Sequence, residues 1–170
     1  SLFIKCPSGA GLTPEMATVL ASEVKAAFPD MPLVAHTHSQ VGYAYAAYEN
    51  FVKAGGNGIE CSLQFPDGAG QPNGLVMLRM LQDLGLDTGN PDAAAMQEVC
   101  DFGNEIRGLY PQGRVVRVSD PRVMQSGIAG GQRSIMGQEL ADIGQSHLEP
   151  LIEQEVQVTR KQGGSVCQVT

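Results

Sequence analysis

The feature that most constrains this chain is a strand–helix pattern repeated three times in its first half. A short apolar run, Leu2-Phe3-Ile4, ends in Lys5 and is broken by Gly9 and Gly11. Thr13-Pro14-Glu15 then opens a helix, with Thr as cap, Pro at the first helical position and Glu at the positive end. Met16, Leu20, Val24 and Ala27 share one face of that helix. Pro32 precedes a second strand, Leu33 to His38, and a second helix runs from about Val41 to Lys53, where Gly55-Gly56 stops it. A third strand covers about Gly58 to Leu63. After a Gly- and Pro-rich loop, Gln64 to Gln71, a third helix spans about Pro72 to Leu84. Successive strand–helix units imply parallel strands joined by crossover helices, hence the α/β class. A dinucleotide-binding turn is excluded: Gly9 and Gly11 lack a third glycine, and no acidic residue ends the next strand.

After Gly89 the pattern changes. Pro91 to Leu109 reads as a long helix, Arg114 to Val118 as a short strand or extended link, and Pro121–Ser126, Gln132–Ile143 and Ser146–Gln162 as further helices. The expected division is an α/β region over 1–88 and a helical region over 89–170. Only 17% of residues are charged, which suggests surface covered within a core or against another chain. The net charge of −7 argues against a nucleic-acid partner. The apolar runs are too short to span a bilayer, and no signal-peptide pattern is present. The four cysteines form no Cys-x-x-Cys pair, which favours reduced thiols in a cytoplasmic-type protein over a zinc knuckle or a disulfide framework.

Side chains alternate along a strand, so His36 and His38 point the same way, at the carboxyl end of their strand where α/β folds place sites. Two same-facing imidazoles suit Zn²⁺, Mn²⁺ or Co²⁺; the alternative is a hydrogen-bonded polar pair. Lys5 ends the preceding strand at the same rim. It is either an ion-pair partner of a carboxylate or an amine that captures carbon dioxide as a carbamate, an anionic oxygen donor. Spacing alone leaves both open. Glu60 on the third strand is a partner of this site or pairs with a neighbouring strand. His147 reads as exposed in the first turn of a helix. The charges Glu149, Glu153, Glu155, Arg160 and Lys161 read as a solvated face.

Several segments carry a family resemblance. Ile4-Lys5-Cys6-Pro7-Ser8-Gly9-Ala10-Gly11-Leu12-Thr13-Pro14 is similar to the Lys-Asp-Met-Ala-Gly-Leu-Leu-Thr-Pro segment of biotin-dependent carboxyltransferases, and His36-Thr37-His38 with Gly42 resembles their His-Thr-His-Asp-Thr-x-Gly. Gly70-Gln71-Pro72, Leu84-Gly85-Leu86-Asp87-Thr88-Gly89, Arg122, Ile128-Ala129-Gly130-Gly131, Gln138-Glu139-Leu140 and Val169-Thr170 follow in the family's order. The family includes pyruvate carboxylase, the oxaloacetate decarboxylase alpha subunit and the transcarboxylase 5S subunit.

The resemblance implies the C-terminal part of a (βα)₈ TIM barrel, about three βα units, followed by a helical extension. It implies a divalent metal held by Lys5 as a carbamate, by His36 and His38, and by an Asp from a first strand that is not among these 170 residues. It also implies that Thr170 relays a proton between biotin and substrate. The expected partners are the remaining half of the carboxyltransferase domain, a biotin carboxyl carrier domain or subunit, a small 2-oxo acid, and further copies or subunits in an oligomer, in the cytoplasm or a mitochondrial matrix. Two departures stand out: the Asp after the family's lysine is Cys6, and the Asp after its second histidine is Ser39. Cys6 is either a soft ligand or a small buried side chain. An aldol- or Claisen-type barrel enzyme of the isopropylmalate synthase or hydroxymethylglutaryl-CoA lyase group shares the His-x-His. A catalytically degenerate subunit is a third reading.

Overall fold

In the computed structural model, the described residues are 1–63, 70–109 and 123–163. Three parallel strands, β1 (Leu2–Cys6), β2 (Leu33–Thr37) and β3 (Gly58–Ile59), lie in the order β1-β2-β3. They alternate with α1 (Pro14–Ala27), α2 (Ala44–Lys53) and α3 (Gly74–Asp83). The α/β reading of the first half stands, with parallel strands joined by crossover helices.

Each helix starts where its local chemistry directs. Thr13 accepts a hydrogen bond from the Met16 amide, with Pro14 behind it. Asn73 caps α3 by accepting from the Leu75 and Val76 amides. The second helix begins three residues later than the apolar pattern suggests, because Gly42 sits at φ +82 and turns the chain first. The third strand is shorter than expected. Beyond Ile59, Ser62 pairs with Asn73 across the intervening loop, and the Ser62 amide donates to the Pro72 carbonyl instead of continuing the ladder with β2.

The helices cover one face of the sheet. Leu33, Ala35 and Thr37 point into a core with Leu12, Ala17, Ala21, Ala47, Tyr48, Phe51, Met77 and Leu81. Alanines at 0% exposure on α1 and α2 let those helices approach the sheet closely. Full burial of a side chain such as Leu33 or Phe51 stabilises the fold by about 1.5–3 kcal/mol. The opposite face carries Phe3, Lys5, Val34 and His36, and Phe3 there is 53% exposed. At the amino ends of the strands, Lys25 donates to the carbonyls of Pro29 and Met31 and to Asn57 Oδ1, and Asn57 Oδ1 also accepts from the Leu33 amide.

The helical region contains α4 (Ala93–Leu109), α5 (Val123–Ser126), α6 (Gly130–Asp142), a 3₁₀ turn (Ser146–Leu148) and α7 (Glu149–Gly163). His147 is exposed in the 3₁₀ turn. The expected solvated face of the last helix needs correction. Arg133 of α6 lies 2.7 Å from Glu153 and 3.6 Å from Glu149, and Arg160 donates to the Ser126 carbonyl at 3.0 Å. Three of the five charges therefore tie helices together, while Glu155 and Lys161 are exposed. The segment Arg114–Val118 and the start of the helix expected at Pro121 lie outside the described residues. Among the described residues, no helix is long and apolar enough to cross a membrane.

Candidate metal centre

Parallel pairing puts Lys5 opposite His36 and Cys6 opposite Thr37. Paired residues of neighbouring strands share a face. Lys5 and His36 therefore stand on the open face, while Cys6 turns with Thr37 toward the helices. Cys6 packs against the core beside Ser8, with Sγ 3.8 Å from the Ser8 hydroxyl. Of the two readings of Cys6, the small packed side chain is the one observed. Cys6, Cys61 and Cys100 are free thiols, and burial pushes Cys61 up to about 12.

β2 ends at Thr37, so His38 lies one residue past it, yet its ring still reaches His36. The Nε2 atoms of His36 and His38 are 3.2 Å apart, with ring centroids 5.2 Å apart and planes tilted by 48°. The loop after β2 is held from two sides. The Ser39 amide donates to the Gly70 carbonyl at 2.8 Å. Gly9, at φ +68, presses against the His38 carbonyl: a Cβ there would lie 2.2 Å from that oxygen. The glycine is thus required twice, for its left-handed backbone and for the close approach.

The outer nitrogens of the two rings differ. His36 Nδ1 lies 2.6 Å from Glu60 Oε2, so Nδ1–H donates to the carboxylate and the proton is held on the nitrogen remote from His38. Gln71 Nε2 lies 3.4 Å from the same Nε2, placing an amide donor at the rim. His38 Nδ1 is buried and has no hydrogen-bond partner among the described residues. Burial, then the charges of His36 and Lys5, lowers His38 to about 4, so it is neutral at neutral pH.

This donor set fits a divalent metal. Two nitrogens bound to one tetrahedral ion at about 2.0–2.1 Å stand about 3.3 Å apart, close to the spacing found here. Lys5 is near enough to depress His38 electrostatically, and as an ammonium it is no ligand. Only conversion to a carbamate would make it an oxygen donor. No group of three His, Cys, Asp or Glu side chains converges among the described residues. Of the expected set, Lys5, His36 and His38 come together at one rim, and Thr170 lies outside the described residues. Sequence reasoning left Glu60 undecided between two partners; it is a neighbouring-strand partner and a neighbour of the site at once. Gln71 was not singled out as a site residue, although Gly70-Gln71-Pro72 was the signal that could have found it.

No family model matches the chain. It is 28% identical over 123 residues to pyruvate carboxylase of Pichia angusta and 31% identical over 123 residues to that of Komagataella pastoris. Each match covers 71% of this chain and 10% of the relative, so the chain spans about a tenth of these proteins. Among solved structures, the carboxyl transferase domain of Rhizobium etli pyruvate carboxylase superposes with a TM-score of 0.84 at 20% identity, covering 98% of this chain and 28% of that one. The same domain solved with pyruvate and biocytin gives 0.78 at 21% identity, covering 99% and 28%. The chain is thus a homologue of the pyruvate carboxylases in sequence, and nearly its whole length has the fold of part of their carboxyltransferase domain.

Proposed function

We propose that this chain carries the lysine and histidine ligands of the metal site of a biotin-dependent carboxyltransferase. The reaction is carboxyl transfer between N1′ of biotin and a small 2-oxo acid such as pyruvate or oxaloacetate. The observation that carries this reading is the pair of Nε2 atoms 3.2 Å apart on the face shared with Lys5. The similarity to pyruvate carboxylases supports the choice of reaction. A bound Zn²⁺, Mn²⁺ or Co²⁺ would supply Lewis-acid polarisation of the substrate carbonyl.

The chain's own residues then have distinct tasks. His36, with its proton held on Nδ1 by Glu60, and His38, neutral at neutral pH, would hold the metal through their Nε2 atoms. The Lys5 amine, once deprotonated, adds to carbon dioxide. An N–C bond forms, a proton leaves, and the cation becomes a carbamate anion. Gln71 offers an amide donor at the rim, suited to an oxygen of the 2-oxo acid. Thr170 relays a proton between biotin N1′ and the substrate carbon. The remaining half of the barrel supplies the fourth ligand and covers the open face that bears Phe3, and a biotin carboxyl carrier domain or subunit delivers the cofactor. The assembly is an oligomer of like or unlike subunits, in the cytoplasm or a mitochondrial matrix.

The test is metal analysis and carboxyl transfer in the assembled enzyme with Lys5→Ala. Loss of bound metal together with loss of transfer is expected. Unchanged metal content with unchanged transfer would overturn the reading.

A further inference from the structure

We infer that Glu60 is the positioning residue of the metal centre: it fixes the tautomer and orientation of His36 and thereby sets the site's metal affinity. This rests on the metal-site reading above. The Glu60 carboxylate lies 2.6 Å from His36 Nδ1. A neutral histidine side chain in water prefers its proton on the nitrogen remote from the main chain, Nε2, which would point an N–H at the position a metal needs. A carboxylate acceptor at Nδ1 reverses that preference and raises the basicity of Nε2.

Glu60 is itself anchored from two directions. Its amide donates to the Ala35 carbonyl at 3.0 Å, and its carbonyl accepts from the Tyr48 hydroxyl at 2.7 Å. The carboxylate is therefore delivered by a fixed stretch of main chain beside the strand that carries His36. Among the described residues the second histidine has no such support, since His38 Nδ1 is buried and finds no partner there. Among the described residues, Glu60 is the one carboxylate hydrogen-bonded to either ring, so orientation of the pair depends on it.

The experiment measures Zn²⁺ and Co²⁺ dissociation constants of the assembled enzyme by chelator competition, with the thermal midpoint of the metal-free protein as a control. Glu60→Ala is expected to weaken binding by about 10–100-fold with the metal-free midpoint little changed. Glu60→Gln keeps an acceptor but loses the charge, and is expected to fall between wild type and Glu60→Ala; it also serves if the alanine variant does not assemble. Affinities within twofold of wild type in both variants would overturn the inference while leaving the metal site standing. A wild-type enzyme that holds no stoichiometric metal would overturn both.

Discussion

The hydroxyl of Tyr48, fully buried on α2, donates to the main-chain carbonyl of Glu60 at 2.7 Å. The same oxygen accepts from the Thr37 amide at 2.8 Å. One side chain thus joins the end of the histidine-bearing strand to the residue that supports His36. Its burial pushes the phenol's ionisation above the ordinary range, so it stays a neutral donor. Tyr48→Phe leaves a buried amide and a half-buried carbonyl without this partner, at a cost of about 1–3 kcal/mol. A lower urea midpoint with an unchanged slope is expected. A midpoint equal to wild type would show that the clamp is dispensable.

His38 gives the site a predictable response to acid. Its folded-state value of about 4 lies below the ordinary 6.5, so between those values the unfolded chain binds a proton that the folded chain does not. The stability owed to this residue is complete above pH 6.5. It declines as pH falls toward 4 and levels off below. Thermal midpoints of metal-free protein measured from pH 7.5 to 3.5 should fall through that window, and more gently in His38→Gln. Parallel curves for the two proteins would contradict this.

Gly9→Ala is expected to destabilise the protein. The left-handed backbone at φ +68 costs a non-glycine residue about 1–3 kcal/mol. A Cβ lying 2.2 Å from the His38 carbonyl adds a clash with main chain. Because the clash falls on His38, metal affinity should drop along with the unfolding midpoint. Loss of stability without loss of affinity would mean that His38 is positioned from elsewhere.

Arg133→Met removes the cation that Glu149 and Glu153 share between α6 and α7. Their side chains are only 16% and 20% exposed, so loss of that cation should cost about 1–3 kcal/mol. Hydrogen exchange should quicken in α7 and stay unchanged in β1 and β2. Acceleration spread evenly over both regions would show instead that the helices and the sheet open as one unit.

Much of this was legible in the sequence for local reasons. Thr13-Pro14-Glu15 marks a helix start because capping is a short-range hydrogen bond, and the cap is where it was expected. Residues two apart on a strand face one way, so the sequence alone pairs His36 with His38. What the sequence hid was tertiary. The third strand stops at Ile59 because Ser62 finds a partner at Asn73, eleven positions on, a pairing no periodicity reveals. Glu60 had two plausible partners until the sheet register chose. Glu149, Glu153 and Arg160 looked solvated because helical spacing shows which charges share a face but not which helix stands opposite. Cys6 could be assigned to a face only once it was registered against Thr37.

Lys25 sits at the end of the sheet remote from the histidines, its three hydrogen bonds closing the strand entrances. Robustness and chemistry are therefore handled at opposite poles of the same three strands. That separation gives the experimenter an independent control. Substitutions around Lys25 and Asn57 can make the scaffold sturdier or weaker in graded steps while the rim that bears His36 and His38 is left alone, so a change in reactivity at that rim can be told apart from a mere loss of folded protein.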